Sequence, residues 1–166
     1  MASIVSVNTY THSVTYVTDQ MLRSLRYIIT WVGLDPNKFV SSWNLYEIAV
    51  KTWLESQHLK TVVLEVIDPK GELVTRCDFS IDYTYGNGEG SMWVDTDALK
   101  HSIAKFGTIP SRCSYSITLL VKSGEPAVLG WGDGSLLSTN GFVKQSLGTT
   151  IGTHEIGAQA AYWRRS

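Results

Sequence analysis

The chain has 166 residues, 43% of them apolar, with six Trp and eight Tyr and a formal net charge of −1. This length suits one domain that buries its own core. A near-neutral charge with no basic run beyond Arg164-Arg165 gives nucleic acid no electrostatic footing, and no apolar run approaches membrane-spanning length.

The chain does not open on a basic segment followed by an apolar run, so no secretory signal is read and a soluble cytoplasmic protein is the expectation. Residues 4–17 are dense in β-branched and aromatic side chains and are predicted to be extended, as a strand broken near Asn8. Thr18 or Asp19 then reads as the cap of a helix with Leu22, Leu25, Ile28, Ile29 and Val32 on its buried stripe, closed by Gly33. Asp35-Pro36 breaks the chain. A second helix is predicted from about Val40 to Gln57, burying Trp43, Tyr46, Val50, Trp53 and Leu54.

Thr61–Ile67 is apolar on both faces apart from Glu65, which suits an inner strand. Asp68-Pro69-Lys70-Gly71 has turn chemistry, with Pro second and Gly fourth. The return strand, Glu72–Tyr85, alternates: Leu73, Thr75, Cys77, Phe79, Ile81, Tyr83 and Tyr85 face one way, and Val74, Arg76, Asp78, Ser80, Asp82 and Thr84 face a solvated side. A glycine-rich loop, residues 86–90, leads to a short strand at Met92–Val94. A third helix follows, capped by Asp95 or Thr96, with Leu99, Ile103 and Phe106 inward and Gly107 ending it.

From Cys113 to Lys122 the pattern has period two. Cys113, Tyr115, Ile117, Leu119 and Val121 form a core face, and Ser114, Ser116 and Thr118 lie opposite. Beyond it lies a tail rich in Gly, Ser and Thr and poor in charge, which holds eight of the fourteen glycines. Its glycines punctuate aromatics such as Trp131 and Phe142, which is not the composition of a disordered segment.

Catalytic chemistry finds little support. His12, His58, His101 and His154 have no metal-ligand spacing, and the 86–90 loop does not open directly onto a helix as a phosphate loop would. Asp78 and Asp82 read as a solvated strand face, and Asp95 and Asp97 as charges at a helix N-terminus. Cys77 and Cys113 fall on apolar faces and read as buried small hydrophobes. No enzyme activity, metal or cofactor is expected. An edge strand, a pliable tail and an excess of aromatics remain, and these are the parts of a binder that captures a peptide by strand addition.

The order of elements resembles the HORMA domain, and at sequence level the bacterial HORMA proteins of CBASS anti-phage operons. The resemblance is carried by Tyr10-Thr11-His12-Ser13-Val14-Thr15-Tyr16-Val17-Thr18-Asp19, Leu34-Asp35-Pro36, Lys51-Thr52-Trp53-Leu54, Leu73-Val74-Thr75-Arg76, Val143-Lys144-Gln145-Ser146-Leu147-Gly148 and Ala161-Tyr162-Trp163-Arg164.

The resemblance implies an α+β fold in which three helices pack on one face of a mainly antiparallel sheet, in a single domain over residues 1–166. Residues 1–122 would be the core and 123–166 a remodelable safety belt. A closure-motif peptide from phage, host or a sister HORMA protein would pair with Ser114, Tyr115, Ser116, Ile117, Thr118, Leu119, Leu120 and Val121. Trp131, Phe142, Val143, Tyr162 and Trp163 would belong to the belt. The closed, peptide-bound state would bind and activate a CD-NTase that makes cyclic oligonucleotides. A AAA+ ATPase would reopen it by gripping the N-terminus at Ala2, Ser3, Ile4, Val5 and Ser6. The competing readings are a β-rich module that binds a sugar or other small ligand on exposed Trp, and a hydrolase using Asp78 with Asp82.

Overall fold

Helix α1 runs from Thr9 to Trp31 in the computed structural model, which describes residues 9–86, 91–106, 109 and 112–165. The stretch expected to be extended is therefore helical from Thr9 onward, and residues 4–8 lie outside the described set. Thr18 does not cap this helix but sits within it, 1% exposed, donating its hydroxyl to the Val14 carbonyl at 2.7 Å. Thr15 bonds the Thr11 carbonyl in the same way, so the hydroxyls are satisfied inside the helix. Val14, Val17, Met21, Leu25 and Ile28 follow helical spacing and are almost fully buried. Burial on one continuous stripe outweighs the small intrinsic penalty of β-branched residues.

The second predicted helix divides in two. Helix α2 covers Asn37–Ser41 and α3 covers Trp43–Glu55. The break at Ser42 seats Phe39, 1% exposed, against the rings of Trp43 (5.4 Å) and Tyr46 (5.0 Å). Helix α4, Thr96–Ile103, is capped as expected: the Asp95 carboxylate accepts the Ala98 N–H at 3.0 Å. A 3-10 turn over Ala104–Phe106 follows it.

Among the described residues six strands form one sheet: β1 Leu59–Ile67, β2 Leu73–Asp82, β3 Trp93–Val94, β4 Ser114–Val121, β5 Phe142–Gly152 and β6 Gly157–Arg165. Their order is β3-β5-β6-β2-β1-β4, and every pairing is antiparallel. The β1–β2 turn is held by the Asp68 side chain, which accepts the N–H groups of Lys70 and Glu72, while Gly71 adopts φ +82°. Strand β2 stops at Asp82 rather than Tyr85, because the Asp82 carboxylate accepts both the N–H and the hydroxyl of Thr84 and turns the chain. The tail supplies β5 and β6, two strands that pair as a hairpin and dock on β2. Gly157 is required there, because a Cβ would lie 2.6 Å from the Tyr85 ring.

The helices cover one sheet face. Val62 and Leu64 of β1, Cys77 and Phe79 of β2, Ile117 of β4 and Ala160 and Tyr162 of β6 join the helical stripes in one core. Of the expected core face of β4, Ile117 is buried and Cys113, Tyr115, Leu119 and Val121 are half-buried, as befits an outermost strand. The opposite sheet face is not simply solvated. Val63 is fully buried, Glu65 is 2% exposed and Asp78 is 5% exposed. Asp78 is thus misplaced by the sequence reading, which put it on a wet face. Residues from the distant tail cover it.

Candidate functional site

Strand β4 pairs with β1 alone, so among the described residues its other edge carries no strand. Lys122 donates its backbone N–H to the His58 carbonyl at 2.7 Å, toward β1. Backbone groups alternate along a strand, so the N–H groups of residues 116, 118 and 120 also face β1. Those of Tyr115, Ile117, Leu119 and Val121 face the open edge.

A cavity of about 640 Å³ runs beside that edge. Ile117–Val121 form one wall, and residues 125–128 and 131–134 form the other, with Trp53 and Lys60 completing the lining. The facing wall is pinned to α3. Trp53 donates its indole N–H to the Pro126 carbonyl at 2.8 Å, and Trp131 donates its own to the Leu45 carbonyl at 3.3 Å. The Trp131 ring meets Trp53 (5.8 Å) and Tyr46 (5.5 Å) edge to face, a geometry favoured by aromatic quadrupoles. Six residues further on, Leu137 donates its backbone N–H to Oε2 of Glu65 at 2.8 Å, on the other face of the sheet. The chain therefore starts on the helix side and ends on the far side. Gly132, Asp133 and Gly134, which line the cavity, carry it across the open edge. A Cβ at Gly132 or Gly134 would meet nothing within 4 Å, so the crossing leaves open space beside the strand.

The C-terminal hairpin is held at the far end of the sheet. Arg76 forks onto Asp78 (Nε to Oδ1 2.7 Å, Nη2 to Oδ2 3.0 Å), and Trp163 donates its indole N–H to the same carboxylate at 3.1 Å. The Arg76 guanidinium lies 5.3 Å from the centre of the Trp163 ring, and Lys144 approaches the same ring at 5.6 Å. Arg165 covers Phe142 at 4.8 Å.

The expected site residues fall into separate places. Ile117, Thr118, Leu119, Leu120 and Val121 line the cavity; Ser114, Tyr115 and Ser116 do not. Tyr115 instead ties β4 to α2, accepting the Phe39 N–H and donating to the Asp35 carbonyl. Burial raises its phenol above the ordinary value, against the lowering effect of the Phe39 bond. Trp131 lies at the cavity, whereas Phe142, Val143, Tyr162 and Trp163 belong to the distant hairpin. Ala2, Ser3, Ile4, Val5 and Ser6 lie outside the described residues. Trp53, Glu65 and Pro126 were missed as contributors. Glu65 carried a signal, as the lone charge in an otherwise apolar strand.

Asp78 and Asp82 do not form a carboxylate pair. Asp78 is engaged by Arg76 and Trp163, and Asp82 bonds its own turn. Burial, and then Asp78, pushes the Cys77 thiol above its ordinary value, so it is a poor nucleophile. Among the described residues no group of three His, Cys, Asp or Glu is placed to hold a metal, and no helix is long and apolar enough to cross a membrane.

A family model described as bacterial HORMA domain 2 matches residues 2–166. No curated protein matches the sequence. Solved structures with similar folds include a chain of the mitotic checkpoint complex (TM-score 0.72, 11% identity, covering 93% of this chain and 99% of that one). Another is C. elegans HTP-2 bound to the HIM-3 closure motif (TM-score 0.67, 11% identity, 99% and 100% covered). A third is a chain of the E. coli MS115-1 CdnC:HORMA-deltaN complex (TM-score 0.62, 11% identity, 100% and 94% covered).

Proposed function

The chain belongs to the bacterial HORMA domain 2 family, and from that premise we propose that it is a non-enzymatic peptide-binding switch, in which residues 123–166 act as a safety belt. The observation that carries this reading is the unpaired edge of β4 beside a cavity bridged by residues 125–134. A closure-motif peptide would enter that cavity as a strand and take the outward N–H groups of Ile117, Leu119 and Val121. The belt is then in its relocated arrangement, with β5 and β6 on β2 rather than on β4.

Peptide shifts such a switch only by its differential affinity for the two belt positions. The related folds include one bound to a closure motif and one complexed with CdnC. By analogy, the closed state here would bind and activate a CD-NTase in cytoplasmic anti-phage defence. A AAA+ ATPase would pull on Ala2–Ser6 to reopen it. Sugar binding at this cavity is disfavoured because such a site needs a free Trp face. Trp53 is 5% exposed, and Trp131 is packed against Trp53 and Tyr46.

Hydrogen exchange tests the reading. A retained peptide should protect the amides of Ile117, Leu119 and Val121. Trp131→Ala should raise the peptide off-rate about tenfold, roughly 1.4 kcal/mol, while the apo melting temperature changes less. Protection elsewhere, with those three amides unaltered, would sink the assignment.

A further inference from the structure

We infer that the peptide taken by this cavity is a segment of a partner protein with apolar side chains at alternate positions and Lys or Arg between them. This rests on the strand-addition reading above and specifies its ligand. A strand beside β4 places side chains alternately on the two sheet faces. On the helix side they share a face with Ile117 and Leu119 and meet Trp53, Val128 and Trp131, which offer hydrocarbon and aromatic surface. Those positions suit apolar side chains and reject carboxylates, because the indole N–H donors of Trp53 and Trp131 are already committed to Pro126 and Leu45.

On the other side the strand lies beside Thr118 and Leu120, where the wall has glycines at 132 and 134 and no large side chain. The charges around the cavity are Glu125, Asp133 and Lys60, an excess of one carboxylate. All three are exposed, and within the described residues none is in an ion pair. Asp133 sits in the crossing itself, where any strand must pass beneath it. A cationic side chain at an intervening position satisfies it; an acidic one meets repulsion. The lining covers Ile117–Val121, so about five peptide residues, roughly 17 Å of strand, carry the selection.

The test is selection of a randomised short-peptide display library on the full-length protein, followed by anisotropy with the retained peptides. Retained sequences should alternate apolar residues with at least one Lys or Arg. Asp133→Asn and Glu125→Gln should each weaken binding about threefold, the scale of one exposed charge pair, and flatten its salt dependence. Asp133→Lys combined with Glu125→Lys should select Asp or Glu instead. Both residues are exposed, so folding should be unaffected. Retained peptides that protect the β4 edge but lack basic residues and ignore these substitutions overturn this inference and leave strand addition standing. No retained peptide, or binding that leaves the β4 edge unprotected, overturns the strand-addition reading itself. Self-association of the protein that Trp131→Ala abolishes would put a second copy in the cavity and also overturn the inference.

Discussion

The indole N–H of Trp163 lies 3.1 Å from Oδ2 of Asp78, the carboxylate that Arg76 grips with two nitrogens. These residues are 85 positions apart, and their contact fixes β6 against β2 in register, Trp163 opposite Arg76 and Ala161 opposite Asp78. The Arg76 and Asp78 side chains are 12% and 7% exposed, so the pair is shielded from solvent.

Asp78→Ala should therefore cost about 3 kcal/mol, because it strands a buried guanidinium and an indole donor together. Denaturant unfolding measures the loss, and hydrogen exchange should show β6 opening before β1. A change below about 1 kcal/mol, with β6 protection intact, would mean the contact does not latch the hairpin.

Glu65→Ala removes the acceptor for the Leu137 N–H beneath a covered part of the sheet. Losing that charge-assisted bond should cost about 1–3 kcal/mol, expressed locally as faster amide exchange and easier proteolysis over 132–141. Glu65→Gln retains an acceptor and should fall between the two. If the alanine variant is cleaved no faster than the wild type, Glu65 does not hold the crossing.

Proline scanning of β4 distinguishes its two edges. Leu119→Pro deletes an outward N–H and should weaken peptide binding while preserving the β1 pairing. Thr118→Pro deletes an N–H facing β1 and should destabilise the fold itself. Equal effects of the two on binding, at matched stability, would contradict the assigned strand orientation.

Helix α1 begins at Thr9 and its buried stripe begins with Ser13 and Val14. If residues 2–6 are the handle proposed above, deleting them should leave peptide affinity unchanged yet abolish reopening by the proposed ATPase. Reopening of the truncated protein at the full-length rate would remove these residues from the handle.

The turn at Asp68–Gly71, the alternation of β4 and the Asp95 cap were legible because each is a local signal of a few residues. The first half of α1 was not, because Val14 and Val17 look like strand residues until the sheet and α3 give their stripe something to cover. The break at Ser42 was hidden for a related reason: the gain comes from seating Phe39 between two other rings. Asp78 misled because its burial depends on Trp163, which no nearby spacing announces. The edge of β4 could be named from its pattern, but which half of it faces a cavity depends on where residues 125–134 cross.

The crossing has a mechanical consequence. The segment between Lys122 and Phe142 is tethered on both faces of the sheet, by Trp53 and Trp131 on one side and Glu65 on the other. A strand lodged beneath it would be interlocked, like an axle through a ring, and free to leave only by sliding lengthwise or by rupture of the ring. Globular stoppers fused to both ends of such a strand would block the first route. Its lifetime would then be set by the tethers alone, whatever its affinity for β4.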